Sequence, residues 1–213
     1  KNLIRALIGI GNADEALSAH NTLAGEQDKS AEYLDALLLA RDYPAAAAGA
    51  LDGYRQSGNT LLLRKYLSAL AQYDLPASLD AYEVHAGDGP DCAILADYAL
   101  LLSVSGKGDK ALAICRDLTA RSDAPSHRLL ACDLTALYGS RESALGMYEQ
   151  LIADELKQKN DLGLLARIIR NYRLFLQKIL PESEARSRFL ALVSKDVNTA
   201  CLLETARFFE DIN

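Results

Sequence analysis

Gly106-Lys107-Gly108-Asp109-Lys110-Ala111-Leu112 and, 33 residues later, Gly139-Ser140-Arg141-Glu142-Ser143-Ala144-Leu145 follow one plan. Each opens on a residue suited to ending a helix, continues with a polar residue, and five residues on reaches a small residue inside a new helix. The same plan runs upstream. It reads Gly11-Asn12-Ala13-Asp14-Glu15-Ala16-Leu17, then Arg41-Asp42-Tyr43-Pro44-Ala45-Ala46-Ala47, then Tyr73-Asp74-Leu75-Pro76-Ala77-Ser78-Leu79. Successive starts lie 30, 32, 33 and 33 residues apart. Matches in series at nearly one period are the mark of a repeat architecture.

The chemistry of each turn agrees with that reading. Gly11, Gly106 and Gly139 stand where a helix C-terminus commonly takes a left-handed backbone. Asn12, Asp42, Asp74 and Ser140 carry oxygens able to cap the next helix, and Asn12 with Glu15 has capping-box spacing. Pro44 and Pro76 fall in a first turn, where a missing N–H leaves nothing unpaired. Three positions then recur at helical spacing. The first is small: Ala16, Ala46, Ser78, Ala111 and Ala144. The second, nine residues after each start, is His20, Ala50, Tyr82, Cys115 and Tyr148. The third, twelve after, is Leu23, Gly53, His85, Leu118 and Leu151. Together they predict one buried face per helix. Between the turns, partner helices are expected over 31–40, 60–72, 94–105 and 127–138, each with apolar residues three and four apart.

Composition supports an all-α chain. Of 213 residues, 39 are Leu and 34 Ala, both strong helix formers, whereas Ile and Val together number 14. The longest apolar run, 92–104, is shorter than the ~20 residues a membrane span needs and contains Asp97. A net charge of -6 argues against a general nucleic-acid binder. The four cysteines (Cys92, Cys115, Cys132 and Cys201) form no Cys-x-x-Cys pair and read as small buried hydrophobes. Their low density fits a reducing, cytoplasmic compartment, with the periplasm as the alternative.

With these turns in hand, the chain resembles the tetratricopeptide repeat family. Gly106, Ala111 and Pro125 match its pattern in the fourth unit, and Gly139, Ala144 and Tyr148 in the fifth. Arg41 and Tyr73 depart from it, and Trp is absent. The resemblance implies a right-handed solenoid of stacked helical hairpins. Five of them, the first partial, are expected over 1–157, and a modified C-terminal hairpin region over 158–213. The latter opens with a long helix over 161–180, followed by helices over 183–194 and 198–210. The chain reads as beginning and ending in mid-repeat, as a piece of a longer protein would.

Within the family, first helices line a concave groove that binds peptides. The resemblance therefore implies Asp28, Ala31, Asp35, Leu63, Leu67, Ala96, Leu100, Ser103, Leu129, Asp133 and Ala136 as groove residues. Its partner would be a hydrophobic or basic segment of another protein. A second surface is basic. Residues 155–188 hold eight Lys and Arg against four acids, and Arg167, Arg170 and Arg173 stand on or beside the polar side of the long helix. They read as a patch for an acidic partner or as a solvated helix face.

No catalytic residue, metal site or cofactor is expected. No His-Glu-x-x-His or nucleophile elbow occurs, and Ser105-Gly106-Lys107-Gly108 lacks phosphate-loop spacing. Asp88 and Asp91 read as loop chemistry. The expected function is a non-catalytic interaction scaffold. The alternatives are a ligand-sensing module of a multidomain regulator or enzyme, and a scaffold in an envelope or polysaccharide-export assembly.

Overall fold

The computed structural model describes residues 2–24, 30–87, 91–158 and 161–193. Asp28, Cys201 and the helix expected over 198–210 lie outside them. Every element among the described residues is a helix, and the helices pair into hairpins. The chain forms two compact units divided within the first turn of α7, at Ile94/Leu95. Unit 1 contains α1 (Asn2–Gly9), α2 (Ala13–Ala24), α3 (Ala31–Leu39), α4 (Tyr43–Ser57), α5 (Thr60–Tyr73) and α6 (Leu75–His85). Unit 2 contains α7 (Cys92–Val104), α8 (Gly108–Arg121), α9 (Pro125–Tyr138), α10 (Arg141–Gln158), α11 (Leu162–Ile179) and α12 (Glu182–Val193). Odd-numbered helices are the first of each hairpin and even-numbered ones the second. The turns fall where the repeat pattern puts them.

Three of those turns share one geometry. Gly11, Arg41 and Gly106 have φ of 80°, 62° and 72°. In each, the next residue's N–H returns to the carbonyl five residues back: Asn12 to Leu7, Asp42 to Leu37 and Lys107 to Leu102. That is a Schellman closure, and it needs a left-handed residue. Arg41 therefore takes the strained conformation that glycine holds in the other two. Gly139 corrects the expectation. Its φ is -102°, so it is not left-handed. It is constrained instead by space, because a Cβ there would stand 2.9 Å from both the Thr135 methyl and the Thr135 carbonyl oxygen.

Caps then start the second helices. The side chains of Asn12, Asp42, Asp74 and Ser140 accept from the N–H of Glu15, Ala45, Ala77 and Ser143 at 3.3, 3.2, 3.0 and 3.0 Å. Pro44 and Pro76 sit in first turns as expected.

The recurring small position is fully buried in every repeat, and so is the residue four later: His20, Ala50, Tyr82, Cys115 and Tyr148. The third position departs from expectation. Leu118 and Leu151 are buried, but Leu23 is exposed and Gly53 and His85 are half-buried. The two units consequently differ in core. Unit 1 closes on Ala36, Ala46, Ala47, Ala50 and Ala69 together with Leu34, Leu37, Leu63, Leu67, Leu70 and Tyr82. Unit 2 has a larger core with an aromatic centre: Tyr148 meets Tyr172 and Phe175 at centroid distances of 5.9 and 5.7 Å, and Tyr172 meets Phe189 at 6.4 Å.

Candidate interaction face

Within each unit, first helices touch first helices: α1 meets α3, α3 meets α5, and α9 meets α11. The seams are bridged by side chains. In unit 1, Arg5 donates from Nε and Nη2 to Glu32 Oε1 at 3.0 and 2.6 Å, and Lys65 pairs with Asp35. In unit 2, the Tyr138 hydroxyl donates to the Ser103 carbonyl at 2.9 Å and lies 3.1 Å from the Ser103 hydroxyl. Asn171 Nδ2 donates to both oxygens of Asp133 at 3.0 Å. Tyr138 can lie this way because Gly108 sits against its ring; a Cβ on Gly108 would stand 2.3 Å from Tyr138 Cδ1.

Asp133 is half-buried and takes part in several of these bonds. Burial raises its carboxyl pKa, opposed by hydrogen bonds from the Tyr148 hydroxyl and Asn171 and by the charge of Arg167. Burial and the neighbouring carboxylate in turn keep the Tyr148 phenol protonated. Of the three acids expected to attract a basic segment, the two among the described residues, Asp35 and Asp133, are thus already engaged by the protein's own side chains.

The other expected groove residues divide three ways. Leu63, Leu67 and Leu129 are buried and serve the core: a first helix in a stacked array packs on its own partner and on the preceding hairpin, which leaves it a narrow open stripe. Ala31, Ala96, Ser103 and Ala136 are half-buried. Leu100 is 48% exposed. Leu137 on α9 is 59% exposed and Leu174 on α11 is 46% exposed, neither of them in the expected set. Both were legible as apolar residues one helical turn from Asp133 and Asn171, although only the fold identifies those two as facing each other.

The basic patch is reduced. Arg167 and Arg170 are exposed, whereas Arg173 is 5% exposed and donates from Nη1 to Gln177 Oε1 at 3.4 Å. Spacing of three residues rotates each arginine by about 60° relative to the last, so the third turns from the solvent side into the core. The open side of α11 therefore carries Arg167, Arg170 and Leu174. Arg167, Asn171 and Leu174 share one stripe, with α9 presenting Asp133 and Leu137 beside it.

Among the described residues no group of three or more His, Cys, Asp or Glu could hold a metal ion, and no helix is long and apolar enough to cross a membrane. Cys92, Cys115 and Cys132 are free thiols.

No family model matches the chain, and no curated protein sequence matches it. Among solved structures it is similar to the nearly identical TPR-like repeats of a Podosopora anserina protein assigned as a kinesin light chain. The identity is 13% and the TM-score 0.39, over 91% of this chain and 89% of that one. A single-substitution variant of the same protein gives 13% identity and a TM-score of 0.41, over 97% and 94%.

Proposed function

We propose that this chain is a non-catalytic protein-interaction module, and that unit 2 receives a segment of another protein along α7, α9 and α11. The observation that carries the reading is that each of the three first helices of unit 2 exposes leucine: Leu100 on α7, Leu137 on α9, and Leu174 with Leu162 on α11. Leucines held exposed on side-chain-bridged helices are preordered, and preorder lowers the ordering cost of binding. Arg167 and Arg170 flank the α11 end. With Asp133 already satisfied by Tyr148 and Asn171, the free charge there is positive. The partner segment is accordingly apolar with acidic flanks, rather than the basic segment that the bare count of aspartates favours.

A displayed library of random peptides, selected on the immobilised chain, tests this. Enriched peptides should combine apolar residues with Asp or Glu. Leu137→Glu with Leu174→Glu should abolish their binding. Arg167→Glu with Arg170→Glu should weaken it by about tenfold and reduce its salt sensitivity. Failure to enrich any peptide, or equal binding by the leucine variant, overturns the proposal.

A further inference from the structure

On the other side of α9, between α8 and α10, lie two adjoining open cavities of about 240 and 320 Å3. Thr119 and Met147 line both. Ala131, Cys132 and Thr135 of α9 contribute the floor. Thr135 is two residues from Asp133, roughly 200° around the helix, so these cavities are separate from the first-helix face.

Three observations bear on what they hold. Gly146 borders the space in the middle of α10, where glycine is a poor helix former. A Cβ there would meet nothing within 4 Å, so close packing does not demand the glycine; its missing side chain leaves room. The charge is one-sided: the lining residues include the exposed Arg116 and also Arg128, with no Asp or Glu, in a chain of net charge -6. Arg128 is neutralised by Asp154 at 2.7 Å, whereas no hydrogen bond or ion pair engages the Arg116 side chain among the described residues. The rest of the lining is uncharged: Ala131, Cys132 and Met147 are apolar, and Thr119, Thr135, Ser140, Ser143 and Gln150 are neutral polar residues. Burial pushes the Cys115 thiol up to about 11 and the Cys132 thiol, helped by Asp133, up to about 12, so both are neutral.

We propose that these cavities bind a small amphipathic carboxylate, with its apolar body over Ala131, Cys132 and Met147 and its carboxylate at Arg116. Together they reach the size of small-molecule sites, ~300–1,000 Å3. An uncharged apolar ligand would leave Arg116 unused, and a polyanion would strand charge on the thiol and methyl floor.

Octanoate is the probe, titrated calorimetrically into the full chain beside octanol and acetate. Octanoate should bind, and both comparison compounds should bind at least about tenfold more weakly. Arg116→Gln should lower octanoate affinity by about tenfold or more. Gly146→Leu should abolish binding while circular dichroism shows helicity retained. A second measurement does not depend on that variant folding. In the wild type, saturating octanoate should raise the thermal unfolding midpoint, and acetate at the same concentration should leave it unmoved. No octanoate binding, octanol binding as tightly, unchanged affinity in Arg116→Gln, or an unmoved thermal midpoint would each overturn the proposal.

Discussion

Arg41 shows how a single residue departs from its repeat without breaking it. The second turn needs a left-handed residue to close the Schellman bonds, and Arg41 supplies it at φ 62°. An L side chain in that region costs about 1–2 kcal/mol. Arg41→Gly should therefore raise unfolding free energy by about 1 kcal/mol in urea titration, part of the relief being offset by the greater freedom of glycine in the unfolded chain. Gly106→Ala should lower it by a similar amount. Asp133 makes a second prediction, about pH. Its folded pKa is raised above the ordinary 3.8, with burial as the main cause. A raised carboxyl contributes stability that is present below its unfolded value and lost as pH rises through the folded one. Asp133→Asn keeps an oxygen for Tyr148 but does not titrate. Measured against wild type, this variant should thus look better at neutral pH than near pH 3.5. A difference independent of pH would show that Asp133 ionises freely.

The helices of unit 2 are tied together through their side chains as much as through their apolar faces. Glu149 of α10 accepts from Arg188 of α12 at 2.6 Å and from the Tyr172 hydroxyl of α11 at 2.9 Å. Burial would raise the Glu149 carboxyl, but these two donors and the Arg188 charge more than offset it, so the net shift is downward. This contribution is present above the ordinary carboxylate range and lost as pH falls below it, the opposite sign to Asp133. Tyr172 joins that polar knot to the aromatic centre of the core. Tyr172→Phe removes only the hydrogen bond and should cost about 1 kcal/mol, since Glu149 and Arg188 are partly solvated. Tyr172→Ala also removes the ring and should cost about 3–5 kcal/mol. Chemical denaturation of the two variants separates the knot from the packing.

In the molecule as a whole, stability should follow core composition. Repeat arrays behave as sums of repeat and nearest-neighbour terms. Unit 1 closes on alanines and leucines, and α1 has only 8 residues. Unit 2 closes on Tyr148, Tyr172, Phe175 and Phe189, with Ile152, Ile168 and Ile169. Native-state hydrogen exchange should accordingly find the slowest amides in α9–α11 and the fastest helical amides in α1 and α2. Tyr172→Ala should erase protection across α9–α12 and leave α3–α5 nearly unchanged. Uniform loss over the chain would mean that it unfolds as one cooperative body.

The turns, their caps and the helix pairing were legible in the sequence because they depend on local chemistry: a capping oxygen three residues from its N–H, a proline in a first turn, an alanine under a neighbouring helix. Periodicity alone located the internal turns of the first five hairpins and gave the buried face at Ala16, Ala46, Ser78, Ala111 and Ala144. The candidate sites were not legible in the same way. Whether Leu129 or Leu137 reaches solvent depends on which sides of α9 the neighbouring hairpins cover. Whether Asp133 is free depends on Tyr148 and Asn171, 15 and 38 residues away. Repeat chemistry is local and recurs with the sequence; exposure, neutralisation and cavity shape arise only where separate helices meet, and only the tertiary structure decided them.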